Sequence, residues 1–202
     1  MSTDLLTEDQ REALQELVNI GMGQAGASIA QVLDEFVKLS IPRISSVAAA
    51  NLSQEIVRLV GDADVSAIRQ AFTTEFRGEA IVIYPEQSMA GLHEVMGYDA
   101  DTKENKGEIL LDIGNILVGA CVGGIANLLG MLSAFSAPTL IADQTPAYRL
   151  LKPEHIQARV ALLVEVYFVL EERDFRCHLI ILMPETDILA LGQALDRFVD
   201  GI

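Results

Sequence analysis

A chain of 202 residues, half of them apolar, can bury a substantial core without disulfide or metal staples. Its formal charge of −15, with no cluster of Lys and Arg interleaved with aromatic residues, opposes a phosphate backbone and excludes nucleic acid as the expected partner. Cys121 and Cys177 stand far apart in apolar surroundings, without a CxxC pair or a histidine at ligand spacing, and the acidic start MSTDLLTEDQRE has no basic n-region of a signal peptide; together these point to a reducing, cytoplasmic setting and against a zinc site.

Thr7, with Gln10 three residues later, forms a capping box for a first helix. Leu14, Leu17, Val18, Ala25, Ile29, Val32 and Leu33 give that helix an apolar stripe. Glu12, Glu16, Asn19 and Gly23, at steps of four, three and four, line the opposite face. GMGQAG at 21–26 predicts a break in the helix; it follows a helix rather than a strand, so it is not a dinucleotide loop. Extended segments are predicted at about 41–51, 66–74 and 76–84, and Pro85 ends the last of them before a helix at 86–96.

The second half begins with another long helical stretch, predicted to break near Gly119–Gly124. Its continuation IGNILVGACVGGIANLLGMLSAFSAP (113–138) has no charge and contains Gly119-x-x-x-Gly123, a spacing used by membrane helices. Asn115, Asn127, five glycines, the absence of basic flanks and Asp112 just before the run favour a helix buried in a core, with no membrane insertion. Strands at about 138–149, 158–171 and 174–183 and a helix at 185–199 complete the chain.

The two halves match. Residues 12–42 align without gaps on 108–138 at a shift of 96, with ten identities in 31 positions, among them Glu12 with Glu108, Asn19 with Asn115, Gly23 with Gly119, Ser40 with Ser136 and Pro42 with Pro138. At a shift of 99, FRGEAIVIYPEQ (76–87) resembles FRCHLIILMPET (175–186). The reading is an internal duplication, with repeats at about 8–98 and 104–200 in one domain spanning 1–202. Three strands per half predict an α+β, pseudo-two-fold fold: one sheet of about six strands with the long helices packed over it.

A single E-x-x-N on an amphipathic helix is ordinary solvated surface. Here a carboxylate, an amide three residues on and a proline 23 residues after the amide recur in both halves, as Glu16, Asn19 and Pro42 and as Asp112, Asn115 and Pro138. The second set persists although its helix has lost nearly every other polar residue.

This doubled pattern resembles the signature of the CheC/CheX/FliY phosphatase family of bacterial chemotaxis, and the resemblance covers essentially the whole chain. It implies hydrolysis of the aspartyl phosphate of the phosphorylated response regulator CheY, with Glu16 and Asn19 in one site and Asp112 and Asn115 in the other. It also implies that Mg²⁺ resides in the partner receiver domain, that this chain needs no cofactor of its own, and that the receptor deamidase CheD is a possible partner. Two departures stand out. Glu12 and Glu108 occupy a position where the family usually has Asp or Ser, and Asp112 replaces the expected Glu, which shortens its reach by one methylene and predicts a smaller contribution from the second site.

The chemistry fits these residue types. An acyl phosphate is already activated and its receiver supplies metal and lysine, so a helper must add a placed water. A carboxamide offers acceptor and donors while staying neutral beside a phosphoryl group. A carboxylate one helical turn away can pair with the receiver's lysine and fix its register. His93, His155 and His178 are isolated, and no serine or cysteine has a base near it in sequence, so nucleophilic catalysis has no support. The alternative is a non-catalytic interaction module that regulates a partner such as CheD.

Overall fold

The computed structural model describes residues 5–33, 36–40, 42–88, 103–151, 160–170 and 175–201. Of the helix expected over 86–96, a single turn at Glu86–Ser88 is described, while residues 89–96, His93 and His155 lie outside the described residues.

Helix α1 (Glu8–Leu33) starts at the expected capping box: Gln10 N donates to Thr7 Oγ1 at 3.2 Å and Thr7 N donates to Gln10 Oε1 at 2.9 Å. Strands β1 (Val37–Leu39) and β2 (Arg43–Ala48) follow, then a short helix α2 (Leu52–Val60), and the hairpin of β3 (Asp64–Thr73) and β4 (Arg77–Pro85). Helix α3 (Lys103–Leu128), strands β5 (Ala134–Phe135) and β6 (Thr139–Pro146), the β7 (Val160–Leu170) and β8 (Phe175–Leu182) hairpin, and helix α4 (Glu185–Asp200) complete the chain.

The predicted breaks in the two long helices do not occur. Each runs unbroken for 26 residues. Their glycines instead let the helices approach: a Cβ on Gly21 would lie 3.0 Å from the Cys121 carbonyl oxygen, and one on Gly124 would lie 3.1 Å from Gly21 Cα. Gly114 brings α3 onto the sheet in the same way, since a Cβ there would meet Ile68 Cδ1 at 2.5 Å. Helix packing outweighs the loss of about 1 kcal/mol per glycine in helix propensity. Helix α2 was not foreseen; Leu52 and Ile56, one turn apart, are its fully buried face.

One antiparallel sheet has the order β1-β7-β8-β4-β3-β5, with β2 also on β7 and β6 also on β3. It is six positions wide, and its eight strands arise because each edge is split into two short strands. The splits fall between Leu39 and Arg43 and between Phe135 and Thr139, where Pro42 and Pro138 stand; proline lacks the N–H that a ladder needs and is tolerated at an edge.

The register carries the shift of 96. Moving both residues by 96 positions turns the pair Arg43↔Glu165 of β2 and β7 into Thr139↔Arg69 of β6 and β3, and the pair Leu39↔Phe168 into Phe135↔Phe72.

Both faces of the sheet are covered, so its central strands read as continuous apolar runs. Ala80, Val82 and Tyr84 of β4 and Cys177, Leu179 and Ile181 of β8 pack under α1, α3 and α4. The alternate residues Ile81, Ile83, Ile180 and Leu182 pack against α2 and the turn containing Ala147 and Leu150. Tyr84 ties the layers together by donating its hydroxyl to the Leu110 carbonyl at 2.9 Å; burial, then neighbouring Cys177, raises its pKa well above the usual value, so the hydroxyl remains a donor.

Among the described residues one helical stretch, Lys106–Leu128, is long and apolar enough to cross a membrane. Its apolar residues, including Ile109, Ile113, Leu117, Cys121 and Ile125, are buried against α1 and the sheet.

Candidate functional site

On α1 the buried side is formed by Leu14, Leu17, Val18 and Met22, none more than 2% exposed. That commits the opposite side to solvent. Glu12, Glu16, Asn19 and Gly23 are all exposed there, as the helical spacing predicts. The side chains of Ala25, Ile29, Val32 and Leu33, assigned to the apolar stripe, lie outside the described residues. A Cβ on Gly23 would meet nothing within 4 Å, so the surface beyond the amide is open. Asn19 makes no hydrogen bond among the described residues. Beside it Ile20 is 38% exposed, a partly wet apolar contact surface.

Helix α3 repeats the arrangement. Ile109, Leu110, Ile113 and Leu117 are buried, while Glu108, Asp112 and Asn115 are exposed, and a Cβ on Gly119 would again meet nothing within 4 Å. Asn115 differs from Asn19 in one respect: its Oδ1 accepts a hydrogen bond from Gln70 Nε2 at 2.8 Å. Gln70, on β3, is buried, and the same Nε2 donates to the Ser136 carbonyl at 2.9 Å. Ser136 is held in turn, with its N donating to the Ala71 carbonyl and its Oγ accepting from Ala71 N, both at 3.0 Å.

These contacts give the motif's long spacing a physical basis. From Asn115 the chain finishes α3, turns, and returns along the sheet edge, so that the Ser136-x-Pro138 segment lies beside the amide at the split in the edge strand. Gln70 was not among the sequence candidates. Its one signal is a polar residue between Ile68 and Phe72, two core residues on the same face of β3.

The two acid and amide pairs are separate. Helix α1 lies along β1 and β2, and α3 along β3 and β6, at opposite ends of the strand order. Near the start of α3, Lys106 Nζ contacts Glu86 at 2.9 and 3.0 Å and Asp143 at 3.4 Å, which fastens the helix to the sheet end. The cysteines are core residues: burial pushes the Cys121 thiol up to about 12 and Cys177 higher still.

No family model matches the chain. A curated relative does: the CheY-P phosphatase CheC of Bacillus subtilis is 26% identical over 147 residues, 68% of each chain. That similarity is to a member of the CheC/CheX/FliY group whose doubled motif the sequence resembles. Solved structures share its fold. The FliY of Thermotoga maritima superposes with a TM-score of 0.75 at 14% identity over 96% of this chain and 98% of that one. The CheX of Desulfovibrio desulfuricans superposes with 0.56 at 11% identity over 83% and 99%. A FliM middle domain from H. pylori does so with 0.60 at 11% over 94% and 99%. The fold is therefore common to proteins with different names, and the chemistry of this chain has to be argued from its own exposed acids and amides.

Proposed function

We propose that this protein is a phosphatase for the aspartyl phosphate of a CheY-like response regulator. One observation carries the reading: an acid and an amide, one helical turn apart and exposed on a rigid helix, occur twice, each with open surface one turn further on. The relative named as a CheY-P phosphatase supports the substrate class. The same reading takes the chain as one domain of two repeats, about 8–98 and 104–200, on the shared register of the two half-sheets.

In this mechanism the receiver supplies the metal and the lysine that neutralise the phosphoryl charge, and this chain adds position. Glu16 pairs with the lysine and sets the docking register; Asn19 holds the attacking water in line with the phosphorus and remains unchanged. Asp112 and Asn115 take the same roles in the second centre. Because each amide stands on a formed helix, its position is set before the receiver docks and only its orientation is left to fix.

The test is phosphate release from phosphorylated receiver proteins with and without this chain. Acceleration that disappears when both Asn19 and Asn115 are replaced by Ala supports the reading. Binding of the phosphorylated receiver without acceleration would turn it into a regulatory interaction module.

A further inference from the structure

We propose that Gln70 is a positioning residue of the second centre: it locks the Asn115 carboxamide with its carbonyl inward and its NH₂ outward. The inference deepens the phosphatase reading and rests on it for its consequence, though not for its geometry.

The orientation of Gln70 is fixed by chemistry. The Ser136 carbonyl can only accept, so the Gln70 atom 2.9 Å from it must be the NH₂. The same NH₂ lies 2.8 Å from the Asn115 side chain, which must therefore present its oxygen. Oxygen and nitrogen of a planar carboxamide point apart, so with Oδ1 turned toward the buried Gln70 the Nδ2 of Asn115 is left for the exposed side. The lock has a cost: Gln70 is 2% exposed, and its Oε1 has no hydrogen-bond partner among the described residues. A buried acceptor without a partner is unfavourable, and an apolar residue between Ile68 and Phe72 would avoid it. The first centre takes the apolar solution. The shift of 96 carries Gln70 to Val166 in β7, at the corresponding split in the other sheet edge, and valine has no donor.

An outward NH₂ suits an anionic target. One N–H can donate to a phosphoryl oxygen while the other donates to a lone pair of the attacking water. The flipped amide would aim its carbonyl at the same anionic oxygens and repel them. Gln70 removes that flipped state before the receiver arrives, whereas Asn19 must select its orientation on binding.

The experiment has two arms. In ¹⁵N spectra of the full chain, the side-chain NH₂ of Gln70 should exchange slowly with solvent, and Gln70→Val should shift the Asn115 NH₂ signals while leaving those of Asn19 in place. An Asn115 NH₂ signal unmoved by Gln70→Val overturns the lock. For turnover, Asn19→Ala isolates the second centre. Adding Gln70→Val should lower kcat about 10-fold with little change in KM, the scale for losing an outer partner that orients a functional group. Gln70→Met, which keeps the length of the side chain but offers no donor to Asn115, should lower kcat about as far. Equal kcat for Asn19→Ala with and without Gln70→Val overturns the positioning role. No release by the wild type with any receiver would instead remove the phosphatase reading, and the spectra alone would then decide the lock.

Discussion

Ile81 of β4 lies directly opposite Ile180 of β8, and a shift of 99 residues carries the first onto the second. The flanking pairs obey the same relation: Ala80↔Ile181 maps onto Leu179↔Val82, and Glu79↔Leu182 onto His178↔Ile83. The local two-fold axis of the sheet therefore passes between two isoleucines, both fully buried in the layer under α2. Strands β4 and β8, about 100 residues apart in sequence, thus share one buried layer. Ile81→Ala and Ile180→Ala are each expected to cost about 2–5 kcal/mol of stability. Because the residues touch, the double variant should depart from additivity by about 0.5 kcal/mol or more. Urea unfolding of the four proteins measures this, and strict additivity would contradict the shared core.

Asn19→Ala should slow phosphate release by roughly 10²-fold at the first centre, the scale for losing one positioned polar group at a reacting centre. Isolating that centre requires the Asn115→Ala background. Stability should change little, since Asn19 is exposed and makes no hydrogen bond among the described residues. A folded variant that retains full rate would remove Asn19 from the mechanism.

Glu16→Ala should act on affinity instead. Loss of its ion pair with the receiver is worth about 2–5 kcal/mol if the pair is desolvated on docking, and below about 1 kcal/mol on a wet rim. Titration against a receiver carrying a stable phosphoryl mimic separates the cases. Unchanged affinity with a lost maximal rate would move Glu16 from docking to chemistry.

The site helices were legible because their signals are local and repeated. Leu14, Leu17 and Val18 fix the buried side by period alone, which leaves Glu16 and Asn19 no other face. The glycines were misread for the opposite reason. Whether Gly21 breaks a helix or admits a neighbour depends on Cys121 and Gly124, about 100 residues away, and neither is visible from Gly21's own surroundings. The split edge strands were foreseen only in part: Pro42 and Pro138 were placed at or near strand starts, while the short strands before them pair only because β7 and β3 extend beyond the breaks. Gln70 was hidden because one glutamine in a strand is ordinary until its partners, Asn115 and Ser136, are known. The smaller share expected of the second centre rested on the shorter Asp112 and on the more apolar helix around Asn115, and the proposed Gln70 lock would act in the other direction.

His178 should give stability a pH dependence. Burial, and to a lesser degree Arg176, lowers its pKa from 6.5 to about 4. The unfolded chain then binds the proton first as pH falls, so the contribution is complete above about 6.5 and is lost between there and about 4, amounting to roughly 3 kcal/mol at most. Carboxylates titrate at the lower end of this window, so the comparison is with His178→Leu. Urea midpoints between about pH 7 and 4.5 should fall more steeply for the wild type. Parallel declines would rule out His178 as the cause.

Asp112→Glu should strengthen the second centre. Asp112 occupies the helical position that Glu16 holds in the first centre, three residues before the amide, and it is exposed, so the added methylene meets no packing obstacle from the core. That methylene extends the carboxylate by about 1.5 Å, enough to turn a solvent-separated approach to a receiver lysine into a direct charge-assisted hydrogen bond. Measured in the Asn19→Ala background, so that only the second centre works, the variant should lower KM by about 3- to 10-fold, as expected for a gain near 1 kcal/mol from a partly exposed ion pair. Its kcat should hold, because Asn115 and Gln70 are untouched. Adding Asn115→Ala should abolish release whatever stands at 112. An unchanged KM would show that Asp112 already reaches its partner or has none, and release from the Asn19→Ala, Asn115→Ala protein would end the amide mechanism for both centres.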